Sequence, residues 1–362
     1  MANYFIFIHI LPAVPEKPLA KGIFSLLILM LSLSFLAGRL LERKCTSGTV
    51  YMITKVGAFW LAATLYLFLL FLATDLMNFM AKIIFPDSGF PTHSFKILEI
   101  LAILIITGIL LLAGYLNAIH PQIKILNISI PKLKAKGEKM RIAAVSDIHL
   151  GSIVGEKRVA KMVKIINGMN PDLVLFLGDL LDEDPGPVIY KNLGSCLEKI
   201  KSKYGIYAIT GNHEYIGGIQ KAIPFLEKHG IKLLRDEWVL IDKRVFLIGR
   251  EDKDKVRFEG KKRKNLSELL IGTDPSKTII LLDHQPFNLD QSKENGIDLH
   301  LSGHTHHGQI WPFQYITKKI YKLSHGYMKD GSTHYYVSSG FGTWGPPIRL
   351  GNRPEVLDIN LF

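Results

Sequence analysis

The sequence predicts an α/β domain preceded by an α-helical membrane region. Three observations carry this. Residues 1–119 hold three uncharged apolar runs, at 22–38, 56–74 and 100–119. Further on, short strand-like apolar runs alternate with segments of helical periodicity. Nearly every strand-like run there ends in Asp, Asn or His.

A bilayer core takes roughly 17–25 apolar residues per helix. We therefore expect spans near 22–41, 56–74 and 97–119. No small-residue cleavage site follows a short apolar core, so a cleaved signal peptide fits poorly. The opening "YFIFIHILPAVP" is too short to span and ends in prolines. An interfacial segment and the tail of a longer helix begun upstream both fit it. The expected organisation is a transmembrane region over 1–120, a linker with a strand over 121–140, and a soluble domain over 141–362.

The net charge is +12, and residues 120–362 carry 36 Lys/Arg against 27 Asp/Glu. Four basic residues lie between Arg39 and Lys55, and six follow the third run, from Lys124 to Arg141. The other two flanking segments carry two each. The positive-inside rule then places the soluble domain on the cytoplasmic face. Two cysteines, Cys45 and Cys196, exclude a disulfide framework and a thiolate zinc site.

Along the soluble part, "QIKILNISI" alternates as an amphipathic strand does, and "RIAAVSD" reads as a buried one. Residues 156–169 have helical periodicity, and 188–201 are expected to be helical. "QKAIPFLEKHG" reads as a helix ended by Gly230. "WVLI" and "RVFLIG" form a hairpin around Asp242 and Lys243. The last third is expected to be mostly strand.

The chemistry sits at the strand ends. "AAVSDIH" offers Asp147 and His149, and "LFLGDLLD" offers Asp179 and Asp182. "AITGNHE" offers Asn212, His213 and Glu214, "ILLDHQP" His284, and "LHLSGHTH" His304 and His306. In open α/β sheets, sites form beyond the carboxyl ends of strands. Oxygen and imidazole donors without thiolate suit Mn, Fe, Zn or Ni. So many donors exceed one ion's needs and suit two, roughly 3.5–4 Å apart, sharing a carboxylate. Neutral imidazoles giving lone pairs to cations explain how two of the three histidines of "SGHTHHGQ" can stay close together.

The ordered set D-x-H, G-D-x-x-D, G-N-H-[DE], a lone H and G-H-x-H resembles the calcineurin-like metallophosphoesterase superfamily. The tail "GFGTWGPPIRLGNRPEV" is similar to that of its bacterial membrane-anchored predicted phosphohydrolases. The resemblance implies a β-sandwich of two sheets flanked by helices, in four layers. It implies that Asp147, His149, Asp179 and His306 bind one metal, and that Asp179 bridges to a second held by Asn212, His284 and His304. His213 would act on the substrate or leaving oxygen, oriented by Asp182. His307 departs from the usual glycine and is not expected to be a ligand. That group's first helix is usually longer than "YFIFIHILP", which points to a shortened N-terminus.

The expected activity is hydrolysis of a phosphomonoester, phosphodiester or pyrophosphate by a hydroxide on two divalent ions (Mn, Fe or Zn). Two such ions carry +4 against −2 from Asp147 and Asp179, which favours an anionic substrate. The basic soluble part beside a membrane favours a lipid-linked one, with Arg349 a candidate phosphate contact. The basic run "EGKKRK" is read first as a solvated loop, with lipid headgroups as the sharper alternative. Trp311, Phe341 and Trp344 are expected to pack the core. A catalytically inactive scaffold binding a protein partner is the alternative, and it predicts missing ligands. Nucleic acid is not expected as a partner, for no basic stretch interleaved with aromatics occurs.

Overall fold

The computed structural model describes residues 1–45, 47–86 and 91–362. The chain divides into two compact units, one of residues 1–116 with 345–348 and one of 117–344 with 349–362.

The first unit is helical. α1 (Ala2–Ile10) precedes three helices long and apolar enough to cross a membrane: α2 (Pro18–Glu42), α3 (Gly48–Ile84) and α4 (His93–Ala118). Pro18 starts α2, where its missing N–H costs no bond. The Ser47 hydroxyl caps α3 by accepting from Val50 N at 3.3 Å. α2 and α3 pack closely, since a Cβ on Gly57 would lie 2.2 Å from Phe35 N. Small residues permit such approach where lipid offers no hydrophobic drive to association. The opening segment is α1 followed by a short 3-10 turn (Leu11–Ala13), and Ile6 is buried against Phe71 and Ile100.

The second unit holds two six-stranded sheets. Strands β1 (Gln122–Ile128), β2 (Met140–Val145), β3 (Leu173–Phe176), β4 (Ile206–Ala208) and β5 (Ile231–Leu233) come first. β6 (Glu237–Ile241), β7 (Val245–Gly249), β8 (Thr278–Leu282) and β9 (Leu299–Ser302) follow. β10 (Gly326–Asp330), β11 (Thr333–Val337) and β12 (Glu355–Leu361) complete the set. One sheet runs β1-β12-β2-β3-β4-β5 and the other β10-β11-β9-β8-β7-β6. β2 to β5 are mutually parallel, as are β7, β8, β9 and β11. Their carboxyl ends carry the motifs.

Side-chain alternation explains the layers. Ile142 and Ala144 face Leu247, Ile280 and Leu299 of the other sheet. Ala143 and Val145 face outward onto Val159, Met162 and Ile166 of the helix Glu156–Met169. Ile248, Ile279 and Leu281 pack outward on Leu266 and Leu269. The result is helices, sheet, sheet, helices, the expected four-layer sandwich.

Several elements differ from the sequence reading. Residues 188–201 are not one helix: Gly186–Tyr190 is helical, then the chain turns, with a 3-10 piece at Leu197–Lys199. Asn192, at φ 47°, breaks the run. The last third, expected to be mostly strand, also contains a helix, Gln314–Ile320, for which no element was expected. β1 alternates only from Leu126 on, because Ile123 and Ile125 are exposed on the sheet edge. The β6–β7 hairpin turns through Asp242, Lys243 and Arg244, since Ile241 pairs with Val245, and the first two sit at positive φ.

Candidate metal centre

Five loops meet at the strand ends. Asp147 and His149 follow β2, Asp179 follows β3, Asn212 follows β4, His284 follows β8, and His304 and His306 follow β9. Asp147 N donates to Gly178 O at 3.1 Å, and His149 N to Asp179 O at 3.0 Å, so backbone bonds fasten the first two loops. His304 N donates to the Asp147 carboxylate at 3.0 and 3.1 Å. His213 N donates to Asp179 Oδ1 at 2.8 Å.

Asp147, His149, Asp179, His304 and His306 all sit at φ between 46° and 69°. Non-glycine residues adopt this region uncommonly, and a cluster of them marks strain stored at a functional site. Two glycines make the crowding possible. A Cβ on Gly211 would lie 2.1 Å from Asp179 Oδ1, and one on Gly303 1.7 Å from Ser146 Oγ.

The side chains form overlapping clusters. Asp147, His149 and His306 bring ligand atoms within 4.8 Å of one another, and so do Asp179, His284 and His304. A third set, His149, Asp179 and His213, joins them. His149 Nε2 lies 3.0 Å from His306 Nε2, and His306 Nε2 lies 3.4 Å from Asp147 Oδ1. Asn212 Oδ1 lies 2.9 Å from His304 Nδ1. Asp179 Oδ2 stands between the sets, 3.1 Å from His284 Nε2 and 4.0 Å from His149 Nε2.

The residues fit a metal pair. Nδ1 of His284 donates to Leu177 O at 2.7 Å, which leaves the Nε2 lone pair aimed at Asp179. That buried Nε2 has no hydrogen-bond partner. Oxygen and imidazole donors in a dry, glycine-lined cradle are what divalent transition ions select.

The electrostatics show buried charges leaning on one another, and of Asp147, His284 and His304 only His304 is shifted towards its ligand form. Burial pushes Asp147 up to about 6, although His284 opposes it. Burial and the neighbouring His284 hold His304 down to about 3 and therefore neutral. Burial would lower His284, but Asp179, Asp147 and Asp252 outweigh it and raise it well above the usual range. A cation beside Asp179 would take over that charge compensation.

His213 is 6% exposed, its ring 4.5 Å from that of His149 and 6.1 Å from that of Trp344. Its Nδ1 lies 3.8 Å from Asp182 Oδ1, beyond hydrogen-bond range. Arg349 is wholly buried. Its Nη2 donates to Gly342 O at 2.7 Å and lies 3.2 Å from His306 Nδ1. It reaches the site through that ring rather than from its mouth. Arginine only donates, so a metal on Nε2 with the proton on Nδ1 leaves the Gly342 bond as the one that lasts. His307 faces away, its Nδ1 3.2 Å from Ser324 Oγ.

Some features escaped sequence reasoning. Glu214 accepts four backbone N–H groups, from Asp179, Leu180, Leu181 and Gly211, at 2.7–3.0 Å. Its place three residues after Gly211 was the available signal. Trp344 is 53% exposed near His213, and Trp311 is also exposed; only Phe341 packs the core as expected. The "EGKKRK" run is largely exposed, as a solvated loop would be, but two of its side chains are tied down. Arg263 pairs with Asp283 Oδ1 at 2.8 Å, and Lys264 Nζ donates to Asp236 O at 3.0 Å.

Comparison with known proteins identifies the arrangement. Residues 140–308 match the family model described as calcineurin-like phosphoesterase. An uncharacterized metallophosphoesterase of Campylobacter jejuni is 30% identical over all of this chain and 95% of its own length. The chain belongs to the calcineurin-like phosphoesterases. A Danio rerio transmembrane protein with metallophosphoesterase domain is 32% identical over 71% of this chain and 61% of its own. The 5'-nucleotidase precursor of Thermus thermophilus aligns at 13% identity, with a TM-score of 0.39, over 61% of this chain and 55% of that one. This phosphoesterase is thus a metal-dependent phosphoric ester hydrolase with helices long and apolar enough to cross a membrane.

Proposed function

We propose that this phosphoesterase is a membrane-anchored dinuclear hydrolase acting on a lipid-linked phosphoester or pyrophosphate. Residues 1–120 anchor it with three spans, 121–140 connect, and 141–362 catalyse from the cytoplasmic face. Asp147, His149, Asp179 and His306 hold one divalent ion. Asp179, Asn212, His284 and His304 hold the other, with Mn, Fe or Zn as the candidates. What carries this reading is the position of Asp179 Oδ2 between His284 and His149.

When bound, the two ions supply Lewis acidity and lower the pKa of water from about 15.7 to about 7. The chain's own groups do the rest. His213, at the rim of both clusters, donates a hydrogen bond or proton to the leaving oxygen. Asp182, with Oδ1 3.8 Å from its Nδ1, orients the ring. Arg349 is a positioning residue that holds Gly342 O and, through Asn352, the His306 backbone, in place of the direct phosphate contact first expected. The buried walls exclude bulk water and strengthen every charge interaction inside.

The lipid-linked substrate is favoured by the basic catalytic part and the tandem apolar helices. The cytoplasmic side follows from the excess of basic residues beside the second and third runs. The test is a panel of soluble and lipid-linked phosphoesters on Mn-loaded protein, with Asn212→Ala as control. Turnover confined to soluble esters would remove the lipid part of the proposal. A reporter fused after residue 362 and active only outside the cytoplasm would remove the orientation.

A further inference from the structure

The segment just past the metal loop presents an unusual surface. Trp311, Phe313, Tyr315, Ile316 and Ile320 are each at least 41% exposed within ten positions. Elsewhere in residues 117–362 such side chains are exposed singly or in pairs. Phe313, Ile316 and Ile320 recur at i, i+3 and i+7, so the helix Gln314–Ile320 turns one apolar stripe outward. Lys318 and Lys319 stand exposed among them. A monomeric soluble surface rarely gathers this much apolar area without a use.

The segment is tied to the site. His306 lies five residues before Trp311, and the intervening turn is tight: a Cβ on Gly308 would lie 2.4 Å from Gln314 N. At the other end, the Tyr321 ring is 6.3 Å from that of His304. The stripe therefore borders the metal centre on both sides of the segment.

We infer that Trp311–Ile320 is an interfacial anchor that seats the mouth of the metal centre on an anionic bilayer surface. Aromatic rings beside aliphatic ones, flanked by lysines, match a headgroup layer with acyl chains beneath it. The lysines complement anionic lipid. The chain carries its own apolar spans, so a bilayer is always at hand. A second copy of the chain is a poorer occupant, because Lys318 and Lys319 would face their own counterparts across a two-fold contact. Seated this way, a lipid-linked phosphoester would reach the metals without leaving the membrane. That consequence rests on the substrate class proposed above; the docking does not.

The experiment uses the full chain with Cys45→Ser and Cys196→Ser, reconstituted in phosphatidylcholine–phosphatidylglycerol vesicles. An environment-sensitive fluorophore is placed at Ile316→Cys and, as control, at Ser276→Cys, just before β8 and away from the site. Nitroxide-labelled lipid should quench the label at 316 and leave that at 276 unchanged. Equal quenching at both, or none at 316, overturns the inference. A second protein carries Phe313→Ser, Ile316→Ser and Ile320→Ser. Its hydrolysis of a lipid-linked phosphoester should fall about tenfold or more, while turnover of a soluble chromogenic phosphodiester is kept. Parallel loss of both turnovers, or a change of oligomeric state without quenching, also overturns it. Quenching at 316 with no lipid ester hydrolysed by the parent chain supports the docking and removes only the substrate class.

Discussion

Glu214 holds Asp179 by its backbone: Oε2 accepts the Asp179 N–H at 3.0 Å while also accepting Gly211 N–H at 2.7 Å. The same carboxylate takes Leu180 and Leu181 on Oε1. One buried side chain thus sets the path of two ligand loops. Burial and the Asp179 carboxylate push it up to about 7, against the pull of the amides. Glu214→Gln turns an acceptor into a donor facing two N–H groups. We expect a stability loss on the order of 3 kcal/mol and metal affinity lower by about 10–100-fold. Thermal unfolding and metal titration check both.

Arg349 gives a prediction that separates bracing from substrate contact. Arg349→Lys keeps the charge but loses the fork on Gly342 O and the bond to Asn352, which holds the His306 carbonyl. Metal affinity should fall by about 10–100-fold, with KM for a soluble phosphoester unchanged at saturating metal. A raised KM with normal metal affinity would return Arg349 to the substrate.

His213→Ala should lower turnover by about 10²–10⁴-fold with metal content unchanged. The loss should shrink for p-nitrophenolate, a leaving group that needs little protonation. Equal losses for good and poor leaving groups would remove His213 from that role.

Gly211→Ala places a Cβ 2.1 Å from Asp179 Oδ1, a contact that forces that carboxylate to move. The protein should fold yet bind less metal, read by elemental analysis after dialysis.

His300 gives a pH dependence outside the ligand set. It is buried, with Nδ1 2.8 Å from Ser292 Oγ and Nε2 3.0 Å from Ser302 Oγ. Burial holds it down to about 4. In the unfolded chain it titrates near 6.5. Between those values the unfolded state binds more protons, so stability is full above about 6.5 and falls as pH drops towards 4. The loss is on the order of 3 kcal/mol for this residue. Denaturation at pH 7.5 and pH 5 should show it, and His300→Gln should flatten the difference.

Much of the site was legible because few residue types can hold a divalent ion, and strand ends are where a parallel sheet gathers them. Asp147, Asp179, Asn212, His284 and His304 could be placed from apolar runs and the polar residue closing each. The layers came from the family resemblance, because β2, β3 and β8 are apolar on both faces and carry no alternation to read. What stayed hidden depends on burial, which spacing does not encode. Arg349 looked like an anion contact and is wholly enclosed. Trp311 and Trp344 looked like core and are exposed. The helix Gln314–Ile320 was missed because its apolar residues face outward, so no buried stripe marks it.

The most direct test is metal stoichiometry across a ligand series, measured by elemental analysis on purified full-length protein. Wild type should bind two ions per chain. His304→Ala should keep one, and Asp179→Asn should keep almost none, since its Oδ2 serves both clusters. Two ions retained by Asp179→Asn, or a single ion in the wild type, would contradict the shared centre.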